Sequence, residues 1–369
     1  MLNNKTVAVV VPAYNEEKQI GMVIETMPEF VDRIVIVNDY SKDKTAEVVE
    51  DYIAKEKALG LSFPLKNKAK RLELTKYNRA ELVLQEQNKL ELDYFTKFEV
   101  AGELQEEKSR IILINHLQNG GVGAAISTGY KWCKDNNIDC TAVMAGDGQM
   151  DPDELEGICK PVVFDGVDYV KGNRLIHRSA LLVIPKVRYL GNSVLSILTK
   201  IASGYWHVSD TQTGYTAISN SALNAIRIHD IYKSYGMPND VLVKLNIAMC
   251  SLKEIPIKPI YDVGEKSKMK IGKVIPTVSM LLLRSFFKRL WQKYLFRDFH
   301  PLFLLYHLAM MLFLFALPLG IKILGSFIID GQIVTNQSLM IFVFLMTSAF
   351  QSLLFAMWMD IQDNERLYK

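Results

Sequence analysis

Val7-Ala-Val-Val-Val-Pro-Ala-Tyr-Asn-Glu-Glu17 is the stretch whose reading decides the fold. Five apolar residues run without a polar interruption, and a polar turn containing Pro12 then opens a helical pattern near Glu17. An apolar run this short, bounded by turn residues, reads as a strand covered on both faces, the kind found in parallel sheets. Outward from it, Arg33–Val37, Ile111–Ile114, Ala142–Met144 and Tyr169–Val170 repeat the pattern, and helices begin near Lys44, Val122 and Asp153. This alternation predicts an α/β fold with a largely parallel, doubly wound sheet and ligands at the carboxyl ends of its strands.

The chain has 369 residues, 49% of them hydrophobic and 22% charged, which suits a sizeable core and excludes global disorder. A formal charge of +3 gives no ground for a nucleic-acid partner. Cys133, Cys140, Cys159 and Cys250 show no Cys-X-X-Cys spacing, so they read as small buried hydrophobes in a reducing compartment. Val7–Pro12 is too short for the apolar region of a signal peptide.

Mean hydropathy is slightly positive at +0.09, and the excess is concentrated near the C-terminus. Pro301–Ile329 and Leu339–Met359 each supply the ~20 apolar residues that a membrane-crossing helix needs. Asp330–Ser338 between them contains no Lys or Arg, whereas the preceding flank is basic, which puts both ends in the cytoplasm. Residues 261–299 mix Lys266, Lys268, Lys270, Lys273, Arg284, Lys288, Arg289, Lys293 and Arg297 with aromatics. Within them Ser279–Phe296 reads as an amphipathic helix lying on anionic lipid. The expected layout is a catalytic domain over 1–260, this juxtamembrane segment over 261–299, two membrane helices over 300–360 and a cytoplasmic tail over 361–369. Residues 52–110, rich in Lys, Glu, Gln and Leu, read as a helical insertion in the catalytic domain.

Four polar turns follow successive strands. They are Val11–Glu17, Val37–Thr45 with Ser41 or Asp43 as helix caps, Asn119-Gly-Gly-Val-Gly123, and Ala145-Gly-Asp-Gly-Gln-Met-Asp-Pro-Asp153. Glycines before a helix let the backbone approach a ligand. Acidic and amide oxygens among glycines suit a hard divalent cation that also reaches phosphate oxygens.

With Lys-Gly-Asn-Arg at 171–174, Asp-Thr-Gln-Thr-Gly-Tyr at 210–215 and Asn-Asp-Val-Leu at 239–242, the series resembles family 2 glycosyltransferases of the GT-A fold. The polyprenyl-phosphate (dolichol-phosphate-type) branch, often ending in two membrane helices, is the nearest match. The resemblance implies a nucleotide-diphosphate sugar donor, a Mg²⁺ or Mn²⁺ cofactor and inversion at the anomeric carbon. It implies that Pro12, Ala13, Tyr14, Glu16, Gly121 and Gly123 line the nucleotide and that Asp39 bonds the base. Asp147 and Gln149 would face the metal and diphosphate. The family's usual Asp-X-Asp has Ala145 in its first position, so Asp147 stands alone.

A phosphate acceptor, whose second pKa is about 6, needs positioning by cations more than it needs a base. Arg174 and Ser267-Lys268 are the candidates, supported by Lys266 and Lys270. A hydroxyl acceptor would require a carboxylate base, for which the resemblance offers Asp210 or Asp240. The expected function is transfer of a hexose from a nucleotide sugar to a polyprenyl phosphate by a membrane-bound, cytoplasm-facing enzyme. The alternatives are transfer to a hydroxyl of a lipid-linked oligosaccharide or surface polysaccharide, and a non-catalytic nucleotide-sugar-binding scaffold. A homo-oligomer is compatible with the sequence.

Overall fold

The structure, a computed structural model, describes residues 1–60, 75–101, 109–260, 271–328 and 334–369. Its strands are β1 (Val7–Ala13), β2 (Arg33–Asn38), β3 (Phe98–Val100), β4 (Ile111–His116), β5 (Cys140–Val143), β6 (Tyr169–Asn173), β7 (Thr216–Ser219) and β8 (Leu252–Pro256). They form one sheet in the order β3-β4-β2-β1-β5-β7-β6-β8. β4, β2, β1 and β5 are mutually parallel; β7 runs antiparallel between β5 and β6; β8 is parallel to β6.

This is the mostly parallel α/β sheet expected. β1 shows why its sequence is apolar throughout: Val7, Val9 and Val11 enter one core cluster while Ala8 and Val10 enter another. Three strands escape the sequence pattern. β3 is a three-residue edge, β7 has only four residues, and β8 carries Lys253 and Glu254 on the opposite margin of the sheet.

Helices α1 (Ile20–Glu25), α2 (Thr45–Ala58), α3 (Arg79–Leu90), α4 (Val122–Asp135) and α5 (Leu155–Phe164) occupy the first half of the chain. In the second half come α6 (Ala180–Val183), α7 (Lys186–Ser203), α8 (Asn220–Ala225), α9 (Met237–Ile247), α10 (Ile271–Trp291), α11 (Pro301–Ile328) and α12 (Asn336–Glu365). The proposed insertion thus begins inside α2. Its described part holds α3, none of whose residues is buried, and β3, which pairs antiparallel with β4.

α11 and α12 pack on each other, and both hold candidate membrane spans, Pro301–Ser326 of 26 residues and Asn336–Glu365 of 30. Only 28% and 11% of their most apolar stretches are buried, so most of that apolar surface is left uncovered by the rest of the protein.

The segments on either side of this hairpin behave differently from expectation. The amphipathic α10 continues into a π-helical turn, Gln292–Arg297, but Arg289 and Lys293 do not face lipid. Both are fully buried. Arg289 makes a bidentate pair with Asp360 at 2.7 and 2.8 Å and donates to the carbonyls of Ile201 and Ala202, each at 3.0 Å. Lys293 pairs with Asp363 at 3.1 Å and donates to Asn246 on α9 and to Asn364.

The last residues are no free tail either. Leu367 is buried in the core beside Leu252 and Tyr205. The Leu252 N–H donates to the Leu367 carbonyl at 2.7 Å, and the Lys369 N–H donates to the Leu252 carbonyl at 2.9 Å. Burial of the two cations follows from charge: Asp360 and Asp363, on the far side of the hairpin in sequence, offer compensation that lipid would not.

Candidate active site

β1 and β2 end in turns that zip together. The Asn15 N–H donates to Ser41 Oγ and the Glu16 N–H to Thr45 Oγ1, both at 2.9 Å; the Lys42 N–H returns a bond to Asn15 Oδ1 at 2.8 Å. Polar residues here satisfy backbone groups that the strands no longer pair. The two turns form one wall of a cleft of about 820 Å³. Pro12, Ala13, Tyr14, Glu16, Asp39, Gly121 and Asp147 all line it, as do Lys18, Asp43, Asn119, Ser234 and Tyr235.

Asp39 sits at the deep end. Its carboxylate accepts from the N–H groups of Gly120 (2.7 Å) and Gly121 (2.8 Å) and lies 2.7 Å from His116 Nδ1. The other His116 nitrogen meets Thr128 Oγ1 at 2.9 Å. Burial opposes ionisation of Asp39, yet the His116 and glycine hydrogen bonds outweigh it and hold the carboxyl below its usual range.

Gly121 adopts φ +86°, a left-handed conformation that leads into α4. A Cβ on Gly123 would lie 2.1 Å from the Tyr232 carbonyl, so only glycine admits the Tyr232–Gly236 loop here. That loop carries Ser234 and Tyr235 into the cleft. Asp240 holds it from below, accepting from the Tyr232 N–H at 2.9 Å and pairing with Lys244. Asp240 is therefore occupied beneath the lip of the cleft.

After β5 the Ala145–Gln149 turn brings Asp147 into the cleft, and Asp147 Oδ1 accepts from the Gln149 N–H at 3.1 Å. Neither Gln149 nor Gly123, which is buried under the Tyr232–Gly236 loop, is among the lining residues. Tyr215 donates to the Asp151 carbonyl at 2.9 Å, which joins the 210–215 loop to the segment after this turn, but Arg174, Asp210 and Asp240 are not among the residues that line the cleft.

There Arg174 grips Asp210 through Nε at 2.8 Å and Nη2 at 3.1 Å. Burial again opposes ionisation; the Arg174 charge and hydrogen bonds, aided by Lys171, outweigh it and keep Asp210 below the carboxylate range. Ser267 and Lys268, with Lys266 and Lys270, lie outside the described residues.

Lys171, in the quoted motif but given no role from sequence, is fully buried on β6 and donates to the Thr213 carbonyl. Burial pushes its ammonium down to about 8, against the pull of Asp210 and Glu254. We expect transfer to slow as pH rises through about 8, when the ammonium beside Asp210 is lost. Between there and the ordinary value of 10.5 the unfolded chain binds the proton that the folded one releases, so this group adds stability as pH rises. Rate and melting temperature followed over the same pH series should thus diverge; a rate flat through that range would remove Lys171 from the site.

A divalent ion fits the cleft in one way. Among the described residues no group of three or more His, Cys, Asp or Glu could hold one alone. Glu16, Glu17, Asp39, Asp43 and Asp147 nevertheless line the cleft against a single described cation, Lys18. A diphosphate entering it needs an added positive charge. Mg²⁺ commonly takes one or two carboxylates and completes its shell with phosphate oxygens and water. Asp147 is the carboxylate available from the turn after β5.

The Glycosyl transferase family 2 model matches residues 8–67 and 99–227, half of the chain. The chain belongs to glycosyl transferase family 2. It is a glycosyltransferase, and the non-catalytic scaffold gives way to an enzyme.

The stretch between the matched segments contains α3, so that helix is an addition to the family pattern. Among similar proteins, UDP-N-acetylglucosamine--dolichyl-phosphate N-acetylglucosaminyltransferase of Methanococcus voltae is 28% identical over 259 residues, covering 70% of this chain and 87% of the relative. Dolichyl-phosphate beta-glucosyltransferase ALG5D of Trichomonas vaginalis is 24% identical over 303 residues, covering 77% and 74%. Glucosyl-3-phosphoglycerate synthase of Mycobacterium tuberculosis, solved with Mn²⁺, uridine diphosphate and glucosyl-3-phosphoglycerate, aligns over 78% of this chain and 80% of its own. It is 13% identical, with a TM-score of 0.45.

Sequence reasoning missed His116, Ser234, Tyr235 and Glu254. His116 lies at the last position of a strand, three residues before the quoted glycine turn. Ser234 and Tyr235 precede the Asn239-Asp240 motif by a few residues, which was the available signal.

Proposed function

We propose that this family 2 glycosyltransferase moves a hexose from a nucleotide-diphosphate sugar to a polyprenyl phosphate, with inversion, on the cytoplasmic face of a membrane. The observation that carries the reading is the buried Arg289–Asp360 and Lys293–Asp363 pairing, which bolts both ends of an apolar hairpin to the catalytic domain. An isoprenoid acceptor stays in the bilayer, and a body fixed to the hairpin base keeps its cleft at headgroup level. Both ends of the hairpin then lie on one side, and the basic flank before α11 assigns that side to the cytoplasm. Exposed Leu190, Val194 and Ile197 on α7 and Met280 and Leu283 on α10 extend the apolar surface towards lipid. The named dolichyl-phosphate transferases among the relatives support the same acceptor class.

The chemistry follows from the charges. Pro12, Ala13, Tyr14, Glu16 and Gly121 frame the nucleotide, and Asp39 takes a base N–H on the lone pair its three protein donors leave. A divalent cation at Asp147 would neutralise the departing diphosphate. An acceptor phosphate oxygen attacks the anomeric carbon opposite the diphosphate; the new bond forms as the glycosyl–diphosphate bond breaks. Arg174, with Ser267 and Lys268, orients the acceptor phosphate. A hydroxyl acceptor would need a base, but the Arg174 pairing that lowers the Asp210 carboxyl makes it a poor proton acceptor, and Asp240 is engaged by Lys244 and Tyr232. Those engagements favour an acceptor that is already anionic.

Membranes containing the protein are expected to convert radiolabelled nucleotide sugar and undecaprenyl or dolichyl phosphate into organic-extractable label that vanishes on chelation of divalent metal. No such label with any common donor would overturn the reading.

A further inference from the structure

Glu254 belongs to none of the quoted motifs, yet it holds the acceptor side of the site together. β8 lies parallel to β6 with Glu254 opposite Lys171. Its carboxylate accepts from the Ser209 N–H through both oxygens at 3.0 Å, from the Asp210 N–H at 3.2 Å and from Asn173 Nδ2 at 2.8 Å. Asn173, itself fully buried, spends its Oδ1 on the N–H groups of Leu175 (2.9 Å) and Ile176 (3.2 Å). One carboxylate therefore ties the backbone entering Asp210 to the backbone leaving Arg174. The Arg174–Asp210 pair closes that ring, and Lys171 lies within it as the nearby countercharge. On its outer edge β8 is pinned at Leu252 by the returning C-terminus.

We propose that Glu254 is a positioning residue: it sets the placement of Asp210 and Arg174 towards the acceptor phosphate, and so sets the rate of transfer, without touching substrate. The inference rests on the acceptor-side reading given above. The residue type is required by hydrogen-bond supply. Three N–H donors converge on Glu254, and a glutamine would offer one oxygen with two lone pairs and turn its NH₂ against a donor.

The test compares E254Q, E254D and D210N as full-length protein in membranes or detergent. Turnover, KM for the lipid phosphate, nucleoside-diphosphate affinity by calorimetry, and melting are measured for each. E254Q is expected to lose kcat by roughly 10–100-fold, as small misplacements of reacting groups do, with nucleotide affinity essentially unchanged. E254D, which keeps the carboxylate, is expected to recover part of that loss.

Loss of the Glu254 charge also withdraws support from the Lys171 ammonium, so in E254Q the alkaline fall in rate moves to lower pH. A merely structural role would not move it. A kcat for E254Q at the wild-type level overturns the proposal. So does a loss that tracks the folded fraction with the alkaline limb in place. If E254Q cannot be purified, E254D decides: a reduced kcat with an unmoved limb supports positioning, and a wild-type kcat overturns it. D210N separates the two levels. Inactive D210N with wild-type E254Q removes only the positioning role, whereas fully active D210N removes the acceptor-side reading and this inference with it.

Discussion

Asp147→Asn is expected to lower sugar transfer by roughly 10²–10³-fold, the scale seen when one electrostatic partner of a developing charge is removed. The substitution keeps an oxygen able to accept from the Gln149 N–H, so the turn and the fold should survive. What it removes is the one negative charge within Ala145–Gln149, because residue 145 is alanine. The cleft's other carboxylates cannot substitute freely. Asp39 is committed to His116, Gly120 and Gly121, and Asp43 bonds Thr45 and the Glu17 N–H. Activity titrated against Mn²⁺ or Mg²⁺, with melting temperature recorded alongside, checks this. Wild-type turnover in the variant at every metal concentration would remove the metal role of Asp147.

The second large effect is on stability. Asp360→Ala leaves Arg289 buried and uncompensated, a change that costs about 3–5 kcal/mol for comparable buried pairs. Against a total stability of about 5–15 kcal/mol, that is a substantial fraction. The variant should lose most of its folded, detergent-extractable protein, or melt many degrees lower. Replacing both partners by apolar residues, as in Arg289→Met with Asp360→Leu, should restore much of the loss, since no charge then remains stranded. Fluorescence-detected chromatography and thermal melting in one detergent read both. If Asp360→Ala melts like the parent, the hairpin is not bolted to the catalytic domain in the way described.

Several features were legible because they are local. β1, β2, β4 and β5 declare themselves as short apolar runs, and the turns after them hold contiguous polar motifs at one end of the sheet. Pro12, Asp39, Gly121 and Asp147 could be gathered into one cleft on that basis alone. β7 and β8 could not be read, since four residues give too little pattern and Lys253 and Glu254 break the apolar run. The juxtamembrane cations show the converse. Arg289 and Lys293 have the spacing of a lipid-facing basic stripe, and nothing near them in sequence distinguishes that from burial.

Sequence by itself determined the strand-and-turn order, the family and the presence of two helices apolar enough to span a bilayer, because each depends on residues close together in the chain. Tertiary structure alone decided that Asp240 braces a loop, that Glu254 ties Asp210 to Arg174, and that residues 360–369 close onto the catalytic domain. The physical reason is charge compensation at a distance. A buried ion is tolerable only where its partner arrives, and Arg289 meets Asp360 from 71 residues away, a pairing set by packing and invisible to spacing.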